Sequence, residues 1–284
     1  MRVARTVAEL RRWSRGVRQA GDRVGLVPTM GALHEGHLSL VREARRRGDR
    51  VAASIFVNPT QFGPNEDFAR YPRTFEADCA LLEAEGVEVV FAPTVEEMYP
   101  GAATTFVEVG ALSERLDGAS RPGHFRGVAT VVAKLFAAAE PERAYFGQKD
   151  AAQVAVLRRM VADLLLAVEL VVCPIVREAD GLAMSSRNRY LSEAERRDAL
   201  ALSRAVLAGE AAFAAGEHAA MAICAAARRE LESVSGVRVD YVTLVDWATL
   251  EPMERAQAGC LLAVAAWVGV TRLIDNTLLG DRIC

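Results

Sequence analysis

The sequence predicts an α/β protein with a Rossmann-like parallel sheet in residues 1–183, followed by a smaller α+β module in residues 184–284. Three observations predict it. Short apolar runs rich in β-branched residues alternate with helical stretches; one run breaks at Pro28 and Gly31 into a helix start bearing His34 and His37; beyond Met184 two alanine-rich helices precede a group of strands.

Taken in order, the first twenty residues are charged and helix-like, with Thr6 and Glu9 spaced as a capping box. Residues 24–28 form a short buried strand. From His37 onward Leu38, Val41 and Ala44 recur at helical spacing until Gly48, a C-terminal stop. Residues 51–57 give a second strand ending at Asn58-Pro59, which completes a right-handed βαβ unit. The aperiodic stretch 60–72, with Gln61, Asn65 and Asp67, is expected as a loop at the carboxyl edge of the sheet. Thr74 caps a helix with Glu76 and Asp78 in its first turn, and Gly86 precedes a strand at 87–91.

Residues 104–109 alternate as a strand would. The basic loop 121–127 then feeds an apolar helix at 128–139, which Pro141 ends before a strand at 143–146. Gly147-Gln148-Lys149-Asp150 opens a helix at 151–163, and a strand at 167–172 leads through Pro174 into the polar, aperiodic stretch 176–189. Ser192 with Glu195 makes a second capping box, two alanine-rich helices flank Gly216, and strands are expected at 237–245, 260–268 and 271–274.

Composition narrows the function classes. The chain has 284 residues, is 51% hydrophobic and carries a formal charge of -3, so no general affinity for nucleic acid or membrane follows. No signal peptide and no membrane-spanning run are expected. Five scattered cysteines, Cys79, Cys173, Cys224, Cys260 and Cys284, fit reduced thiols and a cytoplasmic setting better than a disulfide frame. Of 34 basic residues only Lys134 and Lys149 are lysine.

A helix that begins beside His34 and His37 aims its unpaired N–H groups and positive dipole end into the preceding turn, which favours an anionic group such as a phosphate chain. The same pair also has the spacing of two metal ligands, although no cysteine, glutamate or third histidine cluster accompanies it. Lys149 is a point charge at a second helix start, suited to phosphate or simply a surface lysine. Ser185-Ser186-Arg187 offers two hydroxyls and a guanidinium in a polar loop. All three sets follow strands.

These residues carry a family resemblance. His34-Glu35-Gly36-His37 resembles the H-x-G-H motif of the nucleotidylyl-transferase superfamily, and Met184-Ser185-Ser186-Arg187 stands where that superfamily has its K-M-S-K-S-like loop. The longer strings are more specific. Residues 27–37, 56–62, 71–74, 121–125, 145–150 and 176–188 together resemble the pantothenate synthetases, the pantoate-β-alanine ligases, whereas the final hundred residues resemble that family's C-terminal lid domain only in texture.

The resemblance implies a two-step reaction, in which pantoate and ATP give pantoyl adenylate and pyrophosphate and the amine of β-alanine then displaces AMP. It implies ATP as co-substrate, Mg2+, a homodimer, and no nucleic-acid or membrane partner. By the same resemblance Met30, Gly31, Ala32, Leu33, His34, Glu35, Gly36 and His37 line the nucleotide, with His34 and His37 on the phosphates and His37 the proton donor to developing charge. Gln61 and Gln153 bind pantoate, Gln61 also lying near β-alanine. Gly147, Gln148, Lys149 and Asp150 bind ATP, with Lys149 on a phosphate and Asp150 near ribose or magnesium. Val176 touches adenine, and Met184, Ser185, Ser186 and Arg187 close over the phosphates. No protein metal site is expected; Asp78 is weighed as a magnesium contact but stays outside the site set. Other readings are a nucleotidyl transferase of the same superfamily, an RNA-binding relative of the aminoacyl-tRNA synthetases, and a metal-binding module on the two histidines.

Overall fold

In the computed structural model, residues 1–64, 66–101 and 103–280 are described; Asn65 and Cys284 lie outside them. The chain divides into two compact units, residues 1–147 with 156–174, and residues 148–155 with 175–284.

The first unit is built on six parallel strands: β1 (Arg2–Ala4), β2 (Val24–Thr29), β3 (Arg50–Ile55), β4 (Val89–Phe91), β5 (Arg143–Gly147) and β6 (Glu169–Cys173). Their spatial order is β1-β4-β3-β2-β5-β6. Between and beside them run α1 (Val7–Gln19), α2 (Glu35–Arg46), α3 (Phe75–Ala84), the short α4 (Val95–Met98) and α5 (Asp117–Ser120), α6 (His124–Ala139) and α7 (Ala151–Asp163), of which 156–163 belong to this unit.

A sheet covered on both faces needs apolar residues at every position, and β2 and β3 are buried almost throughout. Val27, Val41, Val51, Leu82, Val90 and Tyr145 belong to one continuous core, where each large apolar side chain contributes roughly 1.5–3 kcal/mol by leaving water. From β2 the chain steps outward to β3 and β4, then returns to lay β5 on β2's other side, with Gly25 paired to Arg143 and Leu26 to Ala144. The strand order therefore reverses between β2 and β5, and the carboxyl ends at such a reversal form the crevice where open α/β sheets bind ligands.

The second unit holds α8 (Glu193–Ala214) and α9 (Ala220–Glu232), and an antiparallel sheet ordered β7 (Val237–Val245), β8 (Leu261–Val268), β9 (Thr271–Leu278). Its core joins Leu202, Val206, Ile223 and Leu231 of the helices to Leu244, Leu262 and Val264 of the sheet. Alanine at 199, 201, 205 and 227 lets backbones pack closely without voids.

Both capping boxes, Thr6 with Glu9 and Ser192 with Glu195, form as expected. Four expectations differ. Thr74 stands at the N-cap of α3, but its side chain makes no cap bond and donates instead to Asp78 Oδ1 (3.1 Å). Residues 2–4 form β1 rather than the start of a helix, because three residues pairing with β4 at the sheet edge are too few to show a period. The basic stretch from His124 to Gly127 is the first turn of α6 rather than loop. Residues 104–109 form no strand: the Val107 amide donates to Thr130 Oγ1 on α6 (2.9 Å), so a side chain replaces the ladder partner. No helix among the described residues is long and apolar enough to cross a membrane.

Candidate active site

The first unit's candidate residues follow β2. Thr29 Oγ1 donates to the Ser54 carbonyl (2.6 Å) and accepts from the Gly31 amide (3.1 Å), which ends the strand and starts the turn. Gly31 has φ 81°, a backbone that strains any residue with a side chain, and a Cβ there would lie 3.0 Å from Asp78 Oδ2 and 3.1 Å from Ile55 Cγ2, a tight fit to which those neighbours would have to yield. Ala32 also takes a positive φ of 51°, a conformation costing a non-glycine residue about 1–2 kcal/mol. Asp78 offsets that strain. From α3, its buried carboxylate accepts the amides of Ala32 (2.9 Å) and Leu33 (2.8 Å) and the hydroxyl of Thr74 (3.1 Å).

With the turn so fixed, His34 becomes the N-cap of α2. Its Nδ1 accepts the Gly36 amide (3.2 Å), and His37 Nδ1 accepts the His34 amide (3.3 Å), a capping box made of two imidazoles with ring centroids 4.1 Å apart. An Nδ1 that accepts is unprotonated, so in each neutral ring the proton sits on Nε2. Both rings are thus set as Nε2–H donors at a positive helix end. Among the described residues no group of three or more His, Cys, Asp or Glu is placed to hold a metal ion, and Asp78's oxygens are committed to the turn.

Gln61 ends the one-turn helix Pro59–Gln61. Its side chain is held at both atoms: Oε1 accepts from Asn58 Nδ2 (3.2 Å), and Nε2 donates to Met30 Sδ (2.9 Å), which brings two candidate residues together. Asn58 also donates to the Gly127 carbonyl (3.1 Å) and accepts from Tyr99 Oη (2.8 Å) and Thr60 Oγ1 (3.0 Å). A Cβ on Gly127 would meet the Thr60 carbonyl at 2.4 Å, so α6 packs backbone to backbone on this turn.

From α6, His124 Nδ1 lies 2.8 Å from the Gln61 carbonyl and its Nε2 2.9 Å from Arg121 Nη1. Burial first, and the Arg121 charge second, push the His124 imidazole down to about 4, against the opposing pull of the Gln61 carbonyl. Burial, the largest single influence, raises the Glu66 carboxyl, but the hydrogen bond and charge of Arg121, helped by His124 and the Gly63 backbone, together outweigh it and leave it lowered.

The second unit's candidate residues form two groups. β5 ends at Gly147, and the chain runs directly into the one-turn helix Gln148–Asp150 and α7. Lys149 Nζ is 3.3 Å from Asp150 Oδ1. Asn276 of β9 clamps this turn, donating to the carbonyls of Gln148 (3.1 Å) and Lys149 (2.9 Å) and accepting from Gln148 Nε2 (3.3 Å). Gln153 lies partly buried on the first turn of α7.

In the other group the Met184 amide donates to the Val176 carbonyl (2.9 Å), so the residues expected at adenine and at the phosphates adjoin. Ser185 Oγ accepts the Arg187 amide (3.3 Å) and caps the short helix Ser186–Tyr190. The hairpin between is braced by Arg177, whose guanidinium grips buried Asp275 bidentately (2.7 and 3.0 Å).

Sequence reasoning gave no binding role to Asn58, His124, Asn276 or Asp275, and it weighed Asp78 only as a magnesium contact, whereas the carboxylate holds the turn. Asn58 carried a signal, since Asn-Pro marks a capped turn. Asn276 and Asp275 had none; their partners lie about a hundred or more residues away in sequence.

Fold and turn geometry together define an α/β protein of the Rossmann-like class with an anion-directed helix start at its strand-order reversal. A sequence model described as pantoate-beta-alanine ligase matches residues 2–278. The chain is 64% identical to a pantothenate synthetase of Acidobacterium capsulatum over 99% of this chain and 98% of that one, and 58% identical to one of Thermotoga neapolitana over 99% and 100%. Among solved structures, it is similar to pantothenate synthetase from Thermus thermophilus, with TM-score 0.91, 50% identity and 98% and 99% coverage. It is also similar to a pantoate-beta-alanine ligase from Francisella tularensis complexed with beta-gamma ATP and beta-alanine, with TM-score 0.78, 31% identity and 98% and 97% coverage. The chain belongs to the pantoate-beta-alanine ligase family.

Two outcomes are expected. Asp78→Asn exchanges one acceptor oxygen for a donor that faces a backbone N–H, so it should cost about 1–3 kcal/mol and speed amide exchange at Ala32 and Leu33; unchanged exchange there would mean that the carboxylate does not hold the turn. The second concerns pH. An unfolded histidine takes its proton near 6.5 while native His124 resists until about 4, so this group's contribution is complete above 6.5 and is lost as pH falls through that window. Denaturant melts should therefore show the wild type losing roughly 3 kcal/mol relative to His124→Asn by pH 4, and parallel curves would contradict it.

Proposed function

We propose that this protein condenses pantoate with β-alanine at the expense of ATP, through a pantoyl adenylate, releasing pyrophosphate and then AMP. The observation that carries this reading is the reciprocal histidine cap: two Nε2–H donors held at a helix N-terminus after the strand next to the reversal. Membership of the pantoate-beta-alanine ligase family supports the substrates.

In the first step a pantoate carboxylate oxygen attacks the α-phosphorus of ATP, and the bond to the bridging oxygen breaks as pyrophosphate leaves. Negative charge grows on the departing phosphates. His34 and His37 donate to it from Nε2, with His37 the proton donor, and the α2 dipole and the Lys149 ammonium add fixed positive potential. In the second step the β-alanine amine attacks the acyl carbon; the C–N bond forms, the bond to AMP breaks, and the nitrogen sheds its proton. No protein nucleophile is needed, because the mixed anhydride already has a good leaving group. Placement of the reactants supplies roughly 7–11 kcal/mol of the barrier.

Gln61, held by Asn58 and Met30, presents a preset amide to pantoate, and Gln153 is its counterpart on α7. Met30 to His37, Gly147 to Asp150, Val176, and Met184 to Arg187 bind the nucleotide. At Gly147 no described atom beyond its two chain neighbours lies within 4 Å of where a Cβ would be, and its φ does not demand glycine, which suits close approach of a ligand. Asp150, a half-exposed carboxylate beside Lys149, would meet a magnesium carried on the triphosphate. That ion, when bound, neutralises phosphate charge. A homodimer in the cytoplasm belongs to the same reading, with support from the family resemblance and from free thiols at Cys79, Cys173, Cys224 and Cys260.

The test follows an oxygen. Pantoate labelled with 18O in its carboxylate should pass one label to AMP, and His37→Ala should slow pantoate-dependent exchange of pyrophosphate into ATP by about 10²–10⁴. Label appearing in inorganic phosphate would replace the adenylate by an acyl phosphate, and near-normal exchange would remove His37 from the chemistry.

A further inference from the structure

We propose that His124 is a positioning residue that sets the backbone of Gln61 and thereby the affinity for the organic-acid substrate. The proposal rests on the reading that Gln61 binds pantoate.

Glu66 takes two donors from Arg121, Nε at 2.8 Å and Nη2 at 2.6 Å, which fixes the plane of the guanidinium. A guanidinium has no acceptor, so the 2.9 Å contact between Arg121 Nη1 and His124 Nε2 is a donation to the ring. A neutral ring that accepts at Nε2 carries its proton on Nδ1, and Nδ1 lies 2.8 Å from the Gln61 carbonyl oxygen. Donation therefore runs outward from Arg121, to Glu66 on one side and through His124 to the Gln61 carbonyl on the other, where it ends on a backbone acceptor. Arg121 Nη2 reaches the same carbonyl more weakly, at 3.4 Å.

Gln61 needs this hold. Its amide N–H reaches the Asn58 carbonyl only at 3.4 Å, and its turn contains just three residues, too few to fix its own geometry. The side-chain contacts to Asn58 and Met30 orient the amide once the backbone is in place; the His124 bond fixes where that backbone is. The ring is itself over-determined, standing at the first position of α6, whose first turn bears on Thr60 at Gly127. It also stays uncharged at neutral pH, so the tautomer that donates to Gln61 persists under assay conditions.

Two near-isosteres separate the ends of the ring. The side-chain nitrogen of His124→Asn sits where Nδ1 does and restores the donor to Gln61 without the acceptor for Arg121. The oxygen of His124→Gln reaches the place of Nε2 and keeps Arg121 without the donor. Steady-state kinetics should give a pantoate KM raised about tenfold in His124→Gln, the loss of one hydrogen bond, and one within about twofold of wild type in His124→Asn. The KM for ATP and kcat should hold in both, with matching melting temperatures showing that both fold. A wild-type pantoate KM in His124→Gln, or losses shared equally among pantoate KM, ATP KM and kcat in both variants, would overturn the proposal. Gln61→Ala run alongside separates the two levels: if it leaves the pantoate KM unchanged, the assignment of Gln61 fails and the positioning role with it; if it raises that KM while His124→Gln does not, the positioning role alone fails.

Discussion

One buried carboxylate holds the turn between β2 and α2 in shape. Asp78 accepts two consecutive amides, from Ala32 and Leu33, and in doing so stabilises a left-handed alanine that its sequence neighbours would not sustain. Without that fixed turn, His34 has no reason to take the extended backbone of an N-cap, and the two imidazoles lose the exchange of amide bonds that sets their tautomers. The dependence runs from a helix on the sheet's flank, through two backbone amides, to two ring protons. It converts a flexible link between strand and helix into a preset pair of donors, and preset donors are what stabilise developing charge without reorganisation.

The Gln61 turn is governed by the same economy of means. Asn58 meets five groups across the buried seam between the turn, α6 and Tyr99, and Gly127 lets the two backbones approach. The two lysines show how residue type alone underdetermines role. Lys134 Nζ donates to the Met98 carbonyl and lies 4.6 Å from the Tyr99 ring centroid, a brace for the seam. Lys149 stands in a turn whose carbonyls are clamped by Asn276, with Asp150 as its side-chain partner.

Much of the fold was legible because buried parallel strands are short apolar runs and because caps and glycines mark their helices. β2, β3, β5, α2, α7 and the three strands of the second unit lie within a few residues of where periodicity places them. What pattern missed was local structure decided elsewhere. Residues 104–109 alternate correctly, yet their hydrogen bonding goes to Thr130; β1 exists because β4 offers it an edge. At the site, the turn residues themselves were readable, since strand, glycine and histidine cap are contiguous. Their supports were not. Asp78 acts on residues some 45 positions earlier, and Asn276 on a turn more than 120 positions earlier, so neither announces its partner in the string.

The most direct measurement is 15N NMR of the imidazoles of His34 and His37, without nucleotide and with magnesium and ATP. The account predicts neutral rings with Nδ1 unprotonated and Nε2 protonated before addition, and on addition a shift concentrated at both Nε2 nitrogens while the two Nδ1 signals stay. Rings protonated at Nδ1 in the free protein, or Nε2 signals indifferent to ATP, would contradict it.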